Sequence, residues 1–207
     1  MNSKFRCTGC REYFPSTEKI KIHRGSFHSY ECATEHGQRK AKKEKVVKEK
    51  KAHTQAKNKL KDEDRGFQVD KTQRVFNAYV RLRDSCMPCI SCARADEEID
   101  YSGVGGKWDC GHYKTRGAYP ELRFDERNAS KQCKKCNGGS GKYSRKARSV
   151  KEGFDIGLLE RYGQDRLDWL NGPHEPKRYT IANLKTLQHW YSRKTKRLLR
   201  SYANDHS

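Results

Sequence analysis

Four cysteines frame the stretch of this sequence that is richest in chemistry. Cys89 and Cys92 form one Cys-x2-Cys pair, and Cys133 and Cys136 form a second, about forty residues later. Two such pairs describe one tetrahedral zinc site. Thiolates fill all four positions, so that site is closed and structural. Within and just beyond the enclosed segment stand Asp109 and His112, three residues apart, then Asn128, and Asn137 directly after Cys136. Carboxylate, imidazole and amide are the side chains a hydrolytic divalent-metal site uses.

A second metal set lies near the N-terminus. Cys7-Thr8-Gly9-Cys10 is a knuckle in which Gly9 is expected to permit the tight turn. His28 and Cys32, four apart, fall on one face of a helical turn. Cys7, Cys10, His28 and Cys32 thus form a Cys3His zinc site, with His23 and His36 as alternatives to His28. Phe5, Tyr13, Phe14 and Phe27 are nearly all the apolar core available there, so this module should depend on its metal. The two sites take seven of the nine cysteines and leave Cys86 and Cys110 over.

The bulk composition says what surrounds these sites. The 207 residues carry 46 Lys and Arg against 26 Asp and Glu, a formal net charge of +20, and only 33% are hydrophobic. A mean hydropathy of -1.18 excludes one large core spanning the chain. A pI near 9.7 points to a polyanionic partner, with nucleic acid favoured because the charge coincides with zinc motifs. There is no apolar run of about eighteen residues, so no membrane-spanning helix is expected. Met1 to Phe5 offers no apolar signal core, and nine cysteines without a secretory leader imply a cytoplasmic protein with metal-bound thiols rather than disulfides.

The chain divides into four regions. Residues 1–35 hold the N-terminal zinc module. Residues 36–69 are a basic segment with no Pro or Gly between Gln38 and Lys61; a helix of that length reaches about 36 Å. It lacks an apolar heptad, which excludes a coiled coil. It is either a helix lying along phosphates or a solvated linker. Lys40, Lys43, Lys48 and Lys51 are its candidate DNA contacts, joined by Arg123 and Arg127 of the central stretch. Residues 70–145 hold the central metal region, beginning with an amphipathic helix over 70–85 that carries Val75, Phe76, Tyr79 and Val80, with Asp70 as its N-cap. Residues 94–107 are expected to be a polar loop. Leu122, Arg123 and Phe124 supply the expected second strand, with Pro120 in the turn before it. Residues 146–207 are helical: two short helices separated at Gly163, then a last helix capped by Thr180. Gly138-Gly139-Ser140-Gly141-Lys142 lacks the spacing of a phosphate loop and no apolar strand precedes it, which excludes a nucleotide cofactor.

The order strand, loop, strand, Asn, then Cys-x2-Cys opening a helix resembles the HNH, or ββα-metal, nuclease motif. Asp-x-x-His at 109–112 and the terminal Asn137 are most similar to its endonuclease VII type, which cuts branched DNA. More of the chain resembles the phage NinG family, also called Rap. The shared features are the N-terminal Cys/His module, the Lys-rich segment, Pro-Cys-Ile-Ser-Cys at 88–92, Gly-His-Tyr at 111–113, Leu-Arg-Phe-Asp-Glu-Arg-Asn at 122–128 and Lys-Gln-Cys at 131–133. One departure is His28, where that family can carry Cys.

These resemblances imply a small zinc-stabilised α+β protein with an HNH-like core, an N-terminal zinc module, a long basic helix and C-terminal helices. They imply His112 as general base, Asn128 as brace of the His-bearing loop, and Asp109 and Asn137 as ligands of a catalytic Mg2+, beside two structural Zn2+. The implied activity is structure-specific cleavage of branched DNA, such as four-way junctions, in phage recombination. A homodimer is left open. The chemistry agrees: imidazole titrates near neutrality and oxygen donors suit Mg2+. The competing readings are a non-catalytic zinc-ribbon nucleic-acid-binding protein, which has no need of the Asp109, His112 and Asn137 set, and a sequence-specific HNH nuclease. Asp125 and Glu126 beside Arg123 and Arg127 read as surface ion pairs rather than ligands.

Overall fold

A computed structural model describes residues 3–23, 25–100, 105–139 and 147–205. Gly103 of the expected polar loop and residues 140–142 of the expected glycine turn lie outside these. The chain separates into two compact units, 1–61 and 62–207.

The first unit has two small antiparallel hairpins. Strand β1 (Lys4–Arg6) pairs with β2 (Tyr13–Pro15), and β3 (Ile20–Ile22) with β4 (Gly25–Phe27). Their core is only Phe5, Cys7, Phe27 and Cys32, flanked by Phe14, Ile22 and Ala33. Helix α1 (Tyr30–Glu63) follows directly. The Ser29 hydroxyl accepts the Cys32 N–H at 3.1 Å and starts the helix at the zinc cluster. The role expected of Gly9 changes here. The left-handed backbone of the knuckle falls on Arg11 (φ 68°). Gly9 is needed for space, because a Cβ there would sit 2.5 Å from Cys32 Sγ. Helix α1 begins well before Gln38 and runs through Gly37. It buries only Cys32, so its lysines stay in water, as the lack of any apolar stripe requires.

The second unit opens with α2 (Arg65–Arg83). Its N-cap is Asp64, whose carboxylate accepts the Phe67 N–H at 2.8 Å, and not Asp70, which sits inside the helix. Gly66 falls in the first turn of α2, where intrahelical bonds have yet to form. Helix α3 (Lys134–Gly139), α4 (Ala147–Tyr162), α5 (Gln164–Asn171) and α6 (Ile181–Asp205) complete the set. The break at Gly163 and the Thr180 cap, whose hydroxyl accepts the Asn183 N–H at 3.1 Å, fall where expected.

The core joins α2 and α6 around Phe76, Tyr79, Val80, Leu184 and Tyr191, with Phe76 edge-on to Tyr191 at 5.0 Å. Buried amides bridge the same helices: Gln188 Nε2 donates to Gln68 Oε1 at 3.0 Å and to Thr72 Oγ1 at 3.1 Å. A second cluster, Ile90, Leu122, Phe154, Leu158 and Leu170, carries α4 and α5. Gly153 and Gly157 let α4 lie on the Cys89–Cys92 loop, since their Cβ atoms would meet the Ser91 and Ile90 carbonyls at 2.0 and 2.1 Å. Among the described residues no helix is long and apolar enough to cross a membrane.

The sheet of this unit is an antiparallel hairpin of β5 (Trp108–His112) and β6 (Ala129–Cys133), in register from Trp108 opposite Cys133 to His112 opposite Ala129. The second strand is therefore 129–133 and not the expected 122–124. Pro120–Leu122 forms a short 3-10 turn that points Leu122 into the core, with Phe124 also buried two residues on. Ala-Ser-Lys-Gln-Cys has no strand signature of its own. It is held by neighbours: Asp84 Oδ2 accepts the Lys131 N–H at 2.9 Å, Lys131 Nζ donates to the Ser85 carbonyl at 2.7 Å, and Gln132 Nε2 donates to Ser91 Oγ at 2.7 Å. These bonds pair Lys131 and Gln132 within a strand whose five residues are all buried, while the Ser130 hydroxyl lies buried without a partner among the described residues.

Candidate functional site

The two metal sets close up in space as their spacing demands. In each of Cys7, Cys10, His28, Cys32 and Cys89, Cys92, Cys133, Cys136, the four ligand atoms lie within 4.8 Å of one another. Cys7 Sγ stands 3.6 Å from Cys32 Sγ and 3.4 Å from His28 Nδ1, and Cys92 Sγ stands 3.9 Å from Cys133 Sγ. A zinc–sulfur bond of about 2.3 Å in a tetrahedron implies sulfur–sulfur edges of roughly 3.8 Å, so both clusters fit Zn2+. The histidine that the structure brings to the three N-terminal cysteines is His28. Phe14 stacks on its ring at 4.0 Å, whereas His36 faces Phe27.

The thiols answer to this crowding. Burial works against the Cys7 thiolate, but bonds from His28 and from backbone N–H groups draw its pKa down to about 5; Cys32, buried beside it, is pushed up to about 11. Cys89 repeats the pattern: burial opposes its thiolate and the N–H groups of Cys133, Cys92 and Ser91 lower its pKa, while burial and Cys89 raise Cys92 to about 11. A bound dication would favour the thiolate form of every cysteine in both sets, since the metal binds cysteine as thiolate. Purified protein should therefore contain two equivalents of zinc, and Cys10→Ser should remove one of them. One equivalent in the unaltered protein would contradict the two-site structure.

The four-cysteine cluster ties the start of α3 to the hairpin. Cys133 ends β6, and its N–H donates to Cys89 Sγ at 3.3 Å. This fixes the two elements that present the polar side chains. Asp109 and His112 lie on β5, Asn137 lies on α3, and all three line one cleft of about 380 Å3 with Asn77, Cys110, Thr115 and Arg116. Asn137 Nδ2 donates to Asp109 Oδ2 at 3.0 Å. His112 Nε2 lies 3.1 Å from the Arg123 carbonyl and donates to it, since a carbonyl only accepts. That bond sets the tautomer and leaves Nδ1 as the acceptor. Burial, aided by the charges of Arg116 and Arg123 and opposed by the backbone of Arg123 and of Cys110, draws the imidazole down to about 4, so His112 is neutral at physiological pH.

Asn128 is fully buried and holds the segment after His112 at both edges. Its Oδ1 accepts the Lys114 N–H at 2.7 Å, and its Nδ2 donates to the Lys114 and Leu122 carbonyls at 3.0 and 3.1 Å. Asp125 and Glu126 are engaged elsewhere. Asp125 pairs with Arg127 at 2.8 Å, and Glu126 accepts from Tyr79 at 2.7 Å and pairs with Lys194. Of the candidate DNA contacts, Arg127 also stacks on Trp169, its guanidinium carbon 3.4 Å from the ring centre, and Arg123 turns its Nε to Gln73. Lys40, Lys43, Lys48 and Lys51 are exposed along α1 in the other unit. Asn77, Thr115 and Arg116 escaped the sequence reading. Arg116 had a signal, a cation four residues after His112; Asn77 had none, because its helix reads simply as scaffold.

Two Cys/His clusters of zinc geometry, a hairpin and short helix locked by one of them beside a polar cleft, and a long basic helix define a small mixed α and β protein built for metal. The chain belongs to the NinG family, whose model, described as "Bacteriophage Lambda NinG protein", matches residues 1–201. Protein ninG of Escherichia phage 933W is 30% identical over 208 residues, covering 90% of this chain and 96% of that protein. Protein ninG of Escherichia phage lambda is 34% identical over 143 residues, covering 69% and 63%, and that of Salmonella phage P22 is 34% identical over 140 residues, covering 68% and 62%. No solved structure matches the chain.

Proposed function

We propose that this protein is a Mg2+-dependent DNA endonuclease acting on branched recombination intermediates such as four-way junctions. The observation that carries the reading is the meeting of Asp109, His112 and Asn137 in one cleft, with His112 oriented by the Arg123 carbonyl and kept neutral by burial. A zinc-ribbon binding module has no use for that arrangement. The order β5, loop, β6, α3, with Asn128 bracing the loop, supports an HNH-like ββα-metal site. The likeness to the endonuclease VII type noted in the sequence directs the substrate reading to branched DNA.

In this reading His112 Nδ1 takes the proton from the attacking water, and the bond at Nε2 keeps the ring turned for that task. Asn128 fixes the backbone of Lys114 and so the exit of the strand that carries His112. Asp109 and Asn137 supply the oxygen donors for one Mg2+, which when bound would neutralise phosphoryl charge and assist the leaving oxygen. Arg116 adds positive charge to the same cleft and draws the phosphate in. The basic face of α1 supplies phosphate contacts that give affinity without reading bases. Asp109→Ala should abolish nicking of a junction in Mg2+ and leave the zinc content at two equivalents. Undiminished cleavage by that variant would refute the metal assignment.

A further inference from the structure

A chain of hydrogen bonds behind the cleft dictates which way Asn77 faces. Arg123 Nε donates to Gln73 Oε1 at 3.1 Å, and Gln73 Nε2 donates to Asn77 Oδ1 at 2.7 Å. A guanidinium is donor-only, so Gln73 must meet it with oxygen and therefore turns its NH2 to Asn77. Asn77 must answer with its own oxygen, which leaves its NH2 as the outward end. The order follows from the Arg123 donor and not from a choice of amide rotamer. Gln73 is 5% exposed, so the relay is shielded from water. Asn77 is half-buried and lines the cleft with Asp109, His112 and Asn137. Among the described residues nothing accepts from its Nδ2. The same Arg123 holds His112 through its backbone carbonyl, so one residue aims both a base and a donor.

We infer that Asn77 is a further catalytic residue, donating through Nδ2 to a phosphate oxygen of the nucleic-acid backbone in the cleft, with Gln73 as its positioning residue. This rests on the nuclease reading of the same cleft. A neutral amide donor aimed at developing charge does its work in the transition state, where preorganised donors count most. It also gives a role to the one amide that α2 sends to the cleft wall.

Two isosteric variants test the inference on zinc-loaded, full-length protein with a labelled four-way junction in Mg2+. Asn77→Asp keeps the acceptor that Gln73 needs but deletes the donor and sets a negative charge against the phosphate. Its kcat should fall by about 10²-fold, the range for loss of one such donor, with the melting temperature and zinc content unchanged. Gln73→Glu still accepts from Arg123 but cannot donate, so the Asn77 amide turns over and offers oxygen to the cleft. Its kcat should fall at least about tenfold although no cleft residue has changed, a result a purely structural glutamine would not give. Normal cutting by Asn77→Asp overturns the inference and leaves the nuclease reading standing. A wild type that never cuts overturns the nuclease reading itself. Binding then judges the contact: several-fold weaker junction binding by Asn77→Asp upholds it, and unchanged binding removes it.

Discussion

Replacing His112 with alanine should stop DNA cleavage while leaving DNA binding and both zinc ions in place. A positioned general base contributes about 10²–10⁴-fold in rate, enough to be plain in a gel assay under single-turnover conditions. Binding should survive because it draws on many lysines and arginines, and zinc should stay because His112 belongs to neither cluster. The pH profile adds a second signature. An ordinary imidazole loses half its basic form at pH 6.5, but burial holds the pKa of His112 near 4. Since the neutral form is the base, cleavage should stay flat as pH falls through 6.5 and decline only toward pH 4. A variant that cuts at the normal rate would remove His112 from the chemistry. One that unfolds or sheds zinc would make it structural.

Cys133→Ser should do more damage than any change in the cleft. Cys133 ends β6 opposite Trp108, supplies one ligand atom, and sends its N–H to Cys89. Structural zinc in small domains supplies an apparent ~10–16 kcal/mol, as much as the whole stability of a typical domain, about 5–15 kcal/mol. Loss of that zinc should release α3 from the hairpin, separate Asn137 from Asp109, and abolish cleavage with every cleft side chain intact. Zinc content should drop from two equivalents to one, because the Cys3His site lies in the other unit. Hydrogen exchange should show amides of 108–139 losing protection while those of 4–32 keep theirs. Unchanged protection at 108–139 would mean that the hairpin stands without its metal.

How much of this was legible beforehand follows from the kind of signal each part leaves. Metal ligands are legible because zinc demands residue type and spacing together, so both four-residue sets appear intact, His28 included. Helices with an apolar stripe or a cap, such as α6 behind Thr180, are legible for similar reasons. The strand at 129–133 was not. Its Lys131 and Gln132 are held by Asp84, Ser85 and Ser91, partners more than forty positions away that no local pattern announces. Leu122 and Phe124 misled because two buried apolar residues at alternate positions look like a strand even when they lie at the end of a 3-10 turn and just after it. Asp70 misled in the same way: any Asp before an apolar run resembles a cap, and only the bond from Phe67 to Asp64 identifies the true one. Asn77 was invisible because its meaning depends on Gln73 and Arg123, which the fold brings beside it.

Incubation of zinc-loaded protein with a labelled four-way junction and a linear duplex of the same sequence, each with and without Mg2+, tests the central claim most directly. The account predicts nicking of the junction that requires Mg2+ and is far slower on the linear duplex. A junction that is bound tightly but stays intact with Mg2+ present would contradict it and make the chain a zinc-dependent nucleic-acid-binding protein.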